Sequence, residues 1–209
     1  VSKAQKNLLK LIILAIMARP KEFDREEVLE KAMETFWLYG YEATSMQTLV
    51  NNMGINRGSL YDTFGDKRSL FQAAIAHYEE KFVHSAIARL QEPNASKQAI
   101  IDFFKDLVAK AIADPDCRGC FLINTAVELC PHDPETRDRI RANFQKIENA
   151  FYNALNRAKS QGEINQQQNI RALARFLTCS LQGLKVTSKV LPDRETLKDI
   201  VQTIVRLLD

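Results

Sequence analysis

Almost nothing in this sequence builds a sheet. No stretch sustains a two-residue alternation of apolar and polar residues between hairpin turns, and only seven glycines serve 209 residues. Strands joined by tight turns are therefore excluded as the main architecture. Four cysteines, Cys117, Cys120, Cys130 and Cys179, are too few for a disulfide scaffold in a chain of this length. They point to reduced thiols and a cytoplasmic setting. Three histidines, His77, His84 and His132, form neither an H-E-x-x-H nor a Glu-x-x-His pair, and no phosphate loop or G-x-S-x-G occurs. The chain thus lacks the common motifs of hydrolases, nucleotide-binding enzymes and di-iron bundles, and it reads as a non-enzyme with no cofactor.

Long hydrophobic runs and one-sided charge are missing too. The apolar run in "NLLKLIILAIMARPKEF" is about half of the ~20 residues needed to cross a bilayer. It resembles the centre of a signal peptide, but no small-residue cleavage site follows. Residues 1–17 are expected to be an N-terminal extension, its last residue, Met17, opening "MARPKEFD", with no membrane partner. The formal net charge is +3, and residues 19–68 hold seven Lys/Arg against nine Asp/Glu. Overall charge gives no sign of a polyanion partner, so any such contact requires locally placed cations.

What is present is helical periodicity throughout, and the fold class is all-α. Asp24 with Glu27 makes a capping-box pattern ahead of Val28, Leu29, Ala32, Met33, Phe36 and Trp37 on one helical face. Gly40 ends that helix. Thr44 with Gln47 repeats the box for a short helix ending at Gly54, Asn56 caps a shorter one through Tyr61, and Gly65 ends it. Asp66 caps a long fourth helix carrying Leu70, Phe71, Ala74, Ile75, Tyr78 and Phe82. Longer helices succeed it at about 96–113, 119–130, 135–161, 169–191 and 194–208, separated by "DPDCRG", "CPHDPE", "QGEINQQQN" and "LPD".

Two helices this short are marginal alone, because isolated helices under ~12 residues barely form in water. Joined by a glycine turn on a longer helix, they fit a helix-turn-helix, with Met46, Leu49, Val50, Met53, Ile55, Leu60 and Phe64 as the internal side. Asn56, Arg57, Ser59, Tyr61 and Asp62 then project outward. The helix starts at Ser45 and Lys67 offer N–H groups to phosphates.

The stretch "LYGYEATSMQTLVNNMGINRGSLYDTFGDKRSLF" resembles the DNA-binding head of the TetR family of bacterial transcriptional regulators. The elements that carry the resemblance are Gly40-Tyr41, Thr44, Gly54, Gly58-Ser59-Leu60-Tyr61, Phe64 and Lys67. It implies a helix-turn-helix from Ser45 to Phe64 in a DNA-binding domain over residues 18–71. A helical ligand-binding and dimerisation domain would span 72–209. By the same resemblance Thr44, Tyr61 and Lys67 contact backbone phosphates, while Arg57, Gly58, Ser59 and Asp62 lie at or near base edges. Asp62 stands where many relatives have His or Tyr. It either accepts from cytosine N4 or pairs with Arg57 or Arg68.

The implied function is that of a homodimeric regulator, a repressor released from a pseudo-palindromic double-stranded DNA operator by a small-molecule inducer. Leu177, Leu181, Leu184, Leu197, Val201, Ile204 and Leu208 on the last two helices are the expected dimer seam. Within "CRGCFLINTAVELCPHD", Cys120, Asn124 and Glu128 follow one another at i, i+4, i+8 along a mostly apolar helix and need polar partners. They are candidate ligand-binding or sensor residues, together with Phe104, Phe144, Phe176, Cys179 and Lys189. "GCFLIN…AVELC" also resembles a branch of the family with cysteine-based sensing of electrophiles or oxidants. That makes Cys120 the alternative sensor and Lys189 its basic neighbour. Cys117, Cys120, Cys130 and His132 match zinc ligands by type, but their density is below that of a structural zinc module. A helical protein-interaction module without specific DNA binding is the remaining alternative.

Overall fold

The computed structural model describes residues 23–209; the expected extension and residues 18–22 lie outside the described residues. Among the described residues, ten α-helices and one π-helical segment succeed one another, with no strand. Helix α1 (Arg25–Tyr39) begins where the Asp24 carboxylate accepts from the N–H of Glu26 and Glu27 at 2.7 and 3.4 Å. The cap satisfies orphan donors and opposes the positive end of the helix dipole. The buried stripe of α1 includes Val28, Leu29, Ala32, Met33, Phe36 and Trp37, and the helix lies against α2 (Met46–Met53) and α4 (Lys67–Tyr78). The short α3 (Arg57–Phe64) sits between α2 and α4, with Leu60 and Phe64 buried.

The caps differ from expectation at one place. Ser45, not Thr44, caps α2, its Oγ accepting from Thr48 N–H at 3.0 Å. Thr44 is fully buried, and its hydroxyl donates to the Gly40 carbonyl. That hydroxyl closes the turn after α1 and so is not left to cap α2. Asn56 and Asp66 cap α3 and α4 as expected, accepting from the N–H of Ser59 and Ser69 at 2.9 and 2.7 Å.

The fourth helix does not continue regularly to Phe82. From Glu79 to His84 it winds as a π-helix before resuming as α5 (Ser85–Gln91). The wider π turn changes the face on which later side chains emerge. It is held from outside, because the Glu79 carboxylate accepts from Arg139 Nε and Nη2 at 2.9 and 3.0 Å and from Asn143 at 2.7 Å. The body consists of α6 (Lys97–Ala113), α7 (Phe121–Leu129), α8 (Pro134–Ser160), α9 (Ile170–Val190) and α10 (Arg194–Arg206). The pairing of α8 with α9 is the most extensive, and α10 lies on α6 and α9.

One apolar core runs through the chain from Val28 to Leu208. Aromatic rings bridge its two ends. Phe71 of α4 meets Phe36 and Tyr41 at 5.0 and 4.7 Å on one side and Phe121 of α7 at 5.6 Å on the other. Phe121 in turn meets Tyr78, which packs on Trp37 at 5.0 Å. Alongside this bridge, Arg68 pairs with Asp133 and, at 2.9 Å, with Glu135.

The expected dimer seam is corrected by the same burial. Leu177, Leu181, Leu184, Leu197, Val201, Ile204 and Leu208 are all buried within the single chain, where they close the body core. Amphipathic periodicity identifies an apolar face but not what covers it, and here the chain covers its own. The outer face of α9 is different. Ala172, Phe176, Cys179, Gly183, Val186 and Val190 form an exposed stripe at alternating steps of four and three, with Phe176 at 44% and Val190 at 80% exposure.

Candidate functional site

The outward side of α2 and α3 is built by exclusion. Leu49, Met53, Leu60 and Phe64 turn inward, which leaves Ser45, Asn56, Arg57, Gly58, Tyr61 and Asp62 exposed and Ser59 and Lys67 half-buried. The Arg57 guanidinium lies 5.8 Å from the Tyr61 ring, and Lys67 Nζ lies 4.4 Å from the Tyr41 ring. Such stacking holds a cation in place without neutralising it. Asp62 makes no ion pair among the described residues, and Arg68 is occupied by Asp133 and Glu135. The pairing alternative for Asp62 is therefore not the arrangement adopted.

Four of the nine acidic side chains of this region are engaged elsewhere. Glu30 pairs with His77 at 2.6 Å and with Lys81 at 2.6 Å, and Glu27 pairs with Lys31 at 2.7 Å. Asp24 and Asp66 are consumed as caps. Local arrangement thus leaves Arg57 and Lys67 on the α2–α3 side despite an unfavourable charge count. One expectation needs correction here. Thr44, fully buried and bonded to the Gly40 carbonyl, braces the turn and does not offer its hydroxyl to a phosphate. Asn56 is exposed, and while its side-chain oxygen caps α3, its amide N–H groups are unused among the described residues.

Behind this unit lies a cavity of ≈ 430 Å³. Its wall takes Trp37 from α1, Tyr78 from α4 and Phe82 from the π segment. The body adds Phe103, Phe144, Leu181, Lys185 and the loop Arg118-Gly119-Cys120. Gly119 has φ +70, and a Cβ there would come within 3.1 Å of the Lys185 carbonyl. The missing side chain lets this loop close on α9. The Tyr78 hydroxyl donates to Cys120 Sγ at 3.5 Å. Burial, with the neighbouring Cys120, pushes the Tyr78 phenol well above its usual range.

Helix α7 runs from this cavity to the region preceding the short helices. Cys120 sits at its start, and Glu128 sits in its last turn. There the Glu128 carboxylate accepts from the N–H of Tyr41 at 3.0 Å and of Glu42 at 2.8 Å. Gly40 makes room, since with φ 82 and ψ 172 its backbone is in a region nearly closed to other residues. A Cβ on Gly40 would stand 3.0 Å from both Glu128 oxygens.

Comparison with known proteins agrees with both halves. Residues 28–74 match the model of bacterial regulatory proteins of the tetR family, and residues 97–204 match the tetracyclin repressor-like C-terminal domain. The chain belongs to the TetR family of bacterial transcriptional regulators. It is 44% identical to the HTH-type transcriptional regulator YezE of Bacillus subtilis (strain 168), over 92% of this chain and 100% of that protein. It is 32% identical to the HTH-type transcriptional repressor ComR of Escherichia coli (strain K12), over 90% of each. A solved structure of a cysteine mutant of the TetR-family regulator CifR, complexed with 26-bp double-strand operator DNA, superposes with a TM-score of 0.82. It is 30% identical and covers 91% of this chain and 100% of that one.

In this TetR-family regulator, the expected sensor residues scatter. Cys120 and Phe144 line the cavity. Phe104 is fully buried and stacked on Phe151 at 5.7 Å, and its neighbour Phe103 takes the cavity wall. Asn124 donates to the Arg118 carbonyl at 3.1 Å and so braces the loop before α7. Glu128 faces the Tyr41-Glu42 turn. Phe176 and Cys179 are on the exposed stripe of α9. Lys189 is exposed and off the cavity wall, where α9 instead places Lys185, one helical turn earlier. Lys185, Trp37 and Phe103 had no local signal. A lysine on an amphipathic helix reads as solvated until its neighbours are known.

Proposed function

We propose that this regulator is a homodimeric repressor that leaves a pseudo-palindromic operator when a small molecule occupies the cavity behind α1 and α4. The observation that carries this reading is the run of α7, with its first turn on the cavity wall and Glu128 clamped to the turn that leads into α2. A ligand that favours one position of α7 would shift the head between two orientations by its differential affinity for them. Residues 18–71 act as the reader and 72–209 as the sensing and dimerising body. Tyr61, Lys67 and the N–H groups following Ser45 serve phosphates, and Arg57, Gly58, Ser59 and Asp62 serve base edges. The exposed stripe Ala172, Phe176, Cys179, Gly183, Val186 and Val190 supports pairing of α9 with a second copy. A dimer sets two reading helices about 34 Å apart on one DNA face.

The test is selection of sites from random DNA, with affinity then measured against salt. Paired half-sites and a steep salt dependence are expected, because phosphate contacts release counterions. A single unpaired site bound by a monomer defeats the reading. Cys120 carries a second one, since its sulfur lies on the cavity wall beside the Tyr78 hydroxyl. Operator release by hydrogen peroxide in the native protein, absent in Cys120→Ser, supports thiol sensing. Equal release in both assigns the cysteine to the wall alone.

A further inference from the structure

The cavity is mostly apolar, yet a largely buried charge on its wall has no ion-pair partner among the described residues. Lys185 lies on α9 facing the cavity, with its head group among Cys120, Lys110 and Asp114. Among the described residues its ammonium makes neither a hydrogen bond nor an ion pair, although both arginines of the wall do. Arg118 is held by Asp114 at 3.1 Å and stacks on Trp37 at 4.4 Å. Arg89 is held by Asp106. Among the described residues Asp106 and Asp114 are the only acidic side chains on the wall, and both are already engaged. Burial pushes the Lys185 ammonium below the usual lysine range, the cost of a charge without a counter-ion. The remaining wall includes Trp37, Tyr78, Phe82, Phe103 and Phe144, aromatic surface with no charge.

Lys110 also lines the wall without an ion pair among the described residues, but it is exposed. An apolar chamber whose inner cation, Lys185, is unpaired selects for a particular kind of molecule. A neutral ligand leaves the ammonium unpaired, and a cationic ligand repels it. We propose that the cavity takes a small amphiphilic carboxylate, its carboxylate paired with Lys185 and its aromatic or aliphatic body against Trp37, Phe82, Phe103 and Phe144. The volume of ≈ 430 Å³ lies within the ~300–1,000 Å³ usual for small-molecule sites. This deepens the sensor reading above and rests on it for the consequence to DNA, but the binding itself stands alone.

The probes are phenylpropanoate, phenylbutanoate and octanoate, each beside the alcohol of the same skeleton. Binding is followed by calorimetry and by the shift of thermal unfolding in the full-length protein. At least one carboxylate is expected to bind about ten- to a hundredfold tighter than its alcohol, the range of a charge-assisted pair. Lys185→Met should lose that preference and bind the alcohol at least as well, while Lys185→Arg should keep much of it. Lys185→Met retaining native unfolding temperature and operator affinity keeps the comparison clean, and if it misfolds Lys185→Gln serves instead. Equal binding of carboxylate and alcohol, an undiminished preference in Lys185→Met, or no binding of either series overturns the proposal. Operator binding is read separately. A carboxylate that binds through Lys185 without weakening the operator complex upholds the anion site and removes its role as inducer site.

Discussion

Replacing Glu128 by glutamine exchanges one carboxylate oxygen for an amide nitrogen, and both oxygens are in use. Each accepts one backbone N–H, from Tyr41 at 3.0 Å and from Glu42 at 2.8 Å. The amide keeps one acceptor and turns an NH₂ toward the other donor. A hydrogen bond to a charged group is worth about 1.5–3 kcal/mol and a neutral one about 0.5–1.5 kcal/mol. One bond is lost and the other loses its charge assistance. The Glu42 end is exposed, so water recovers part of the loss, and the net cost is about 2 kcal/mol. For a chain of this size, each kcal/mol moves the melting temperature by about 2–4 °C, so Glu128→Gln should melt about 4–8 °C lower.

Calorimetric unfolding checks that value, and fluorescence anisotropy on the operator checks the coupling. If the clamp carries the signal, any cavity ligand that weakens operator binding in the native protein should weaken it less in Glu128→Gln. Native melting together with a native response to ligand would refute the clamp as a coupling element. Gly40→Ala gives an independent approach from the opposite side. Its Cβ would press on both Glu128 oxygens, and its backbone at φ 82 adds about 1–3 kcal/mol of strain. In a Glu128→Ala background the steric part should vanish and only the strain remain, which a double-mutant cycle separates.

Other consequences are open to simpler measurements. Tyr61→Phe and Lys67→Ala should weaken all DNA sites alike, whereas Asp62→Ala should change preference at one position per half-site; site selection on the variants distinguishes these outcomes. Trp37 is the only tryptophan and lines the cavity, so a ligand there should alter intrinsic fluorescence in the native protein and not in Trp37→Phe. Arg68 holds the Asp133 carboxyl well below the usual carboxylate range. A depressed carboxyl stabilises the fold above the unfolded value near ~4 and loses that contribution as pH falls toward the folded value. Urea unfolding between neutral pH and pH 3 should therefore show a steeper loss below about pH 4 than Asp133→Asn does. Phe176→Glu should dissociate a dimer built on the α9 stripe, read by sedimentation, with the monomer fold intact by circular dichroism.

The elements of this protein were set locally. The capping side chains, the stops at Gly40, Gly54 and Gly65, and the apolar period of each helix depend on residues within a few positions of one another. Helix order, the short helical pair and the family resemblance could therefore be read directly from the chain. Tertiary structure decided what each face meets. Leu177 and Val201 carried an apolar stripe that fits a partner as well as a core, and the chain's own α6, α8 and α10 turned that stripe inward. The π turn at Glu79–His84 depends on Arg139 and Asn143, which reach Glu79 across 60 and 64 residues. Glu128 reaches its donors across 86 and 87 residues, so its spacing from Cys120 and Asn124 misrepresented its role. Lys185 became distinctive, and Lys189 ordinary, only once α9 was set against the Gly119 loop, because burial is a property of the assembled chain and one helical turn separates a solvated lysine from a stranded one.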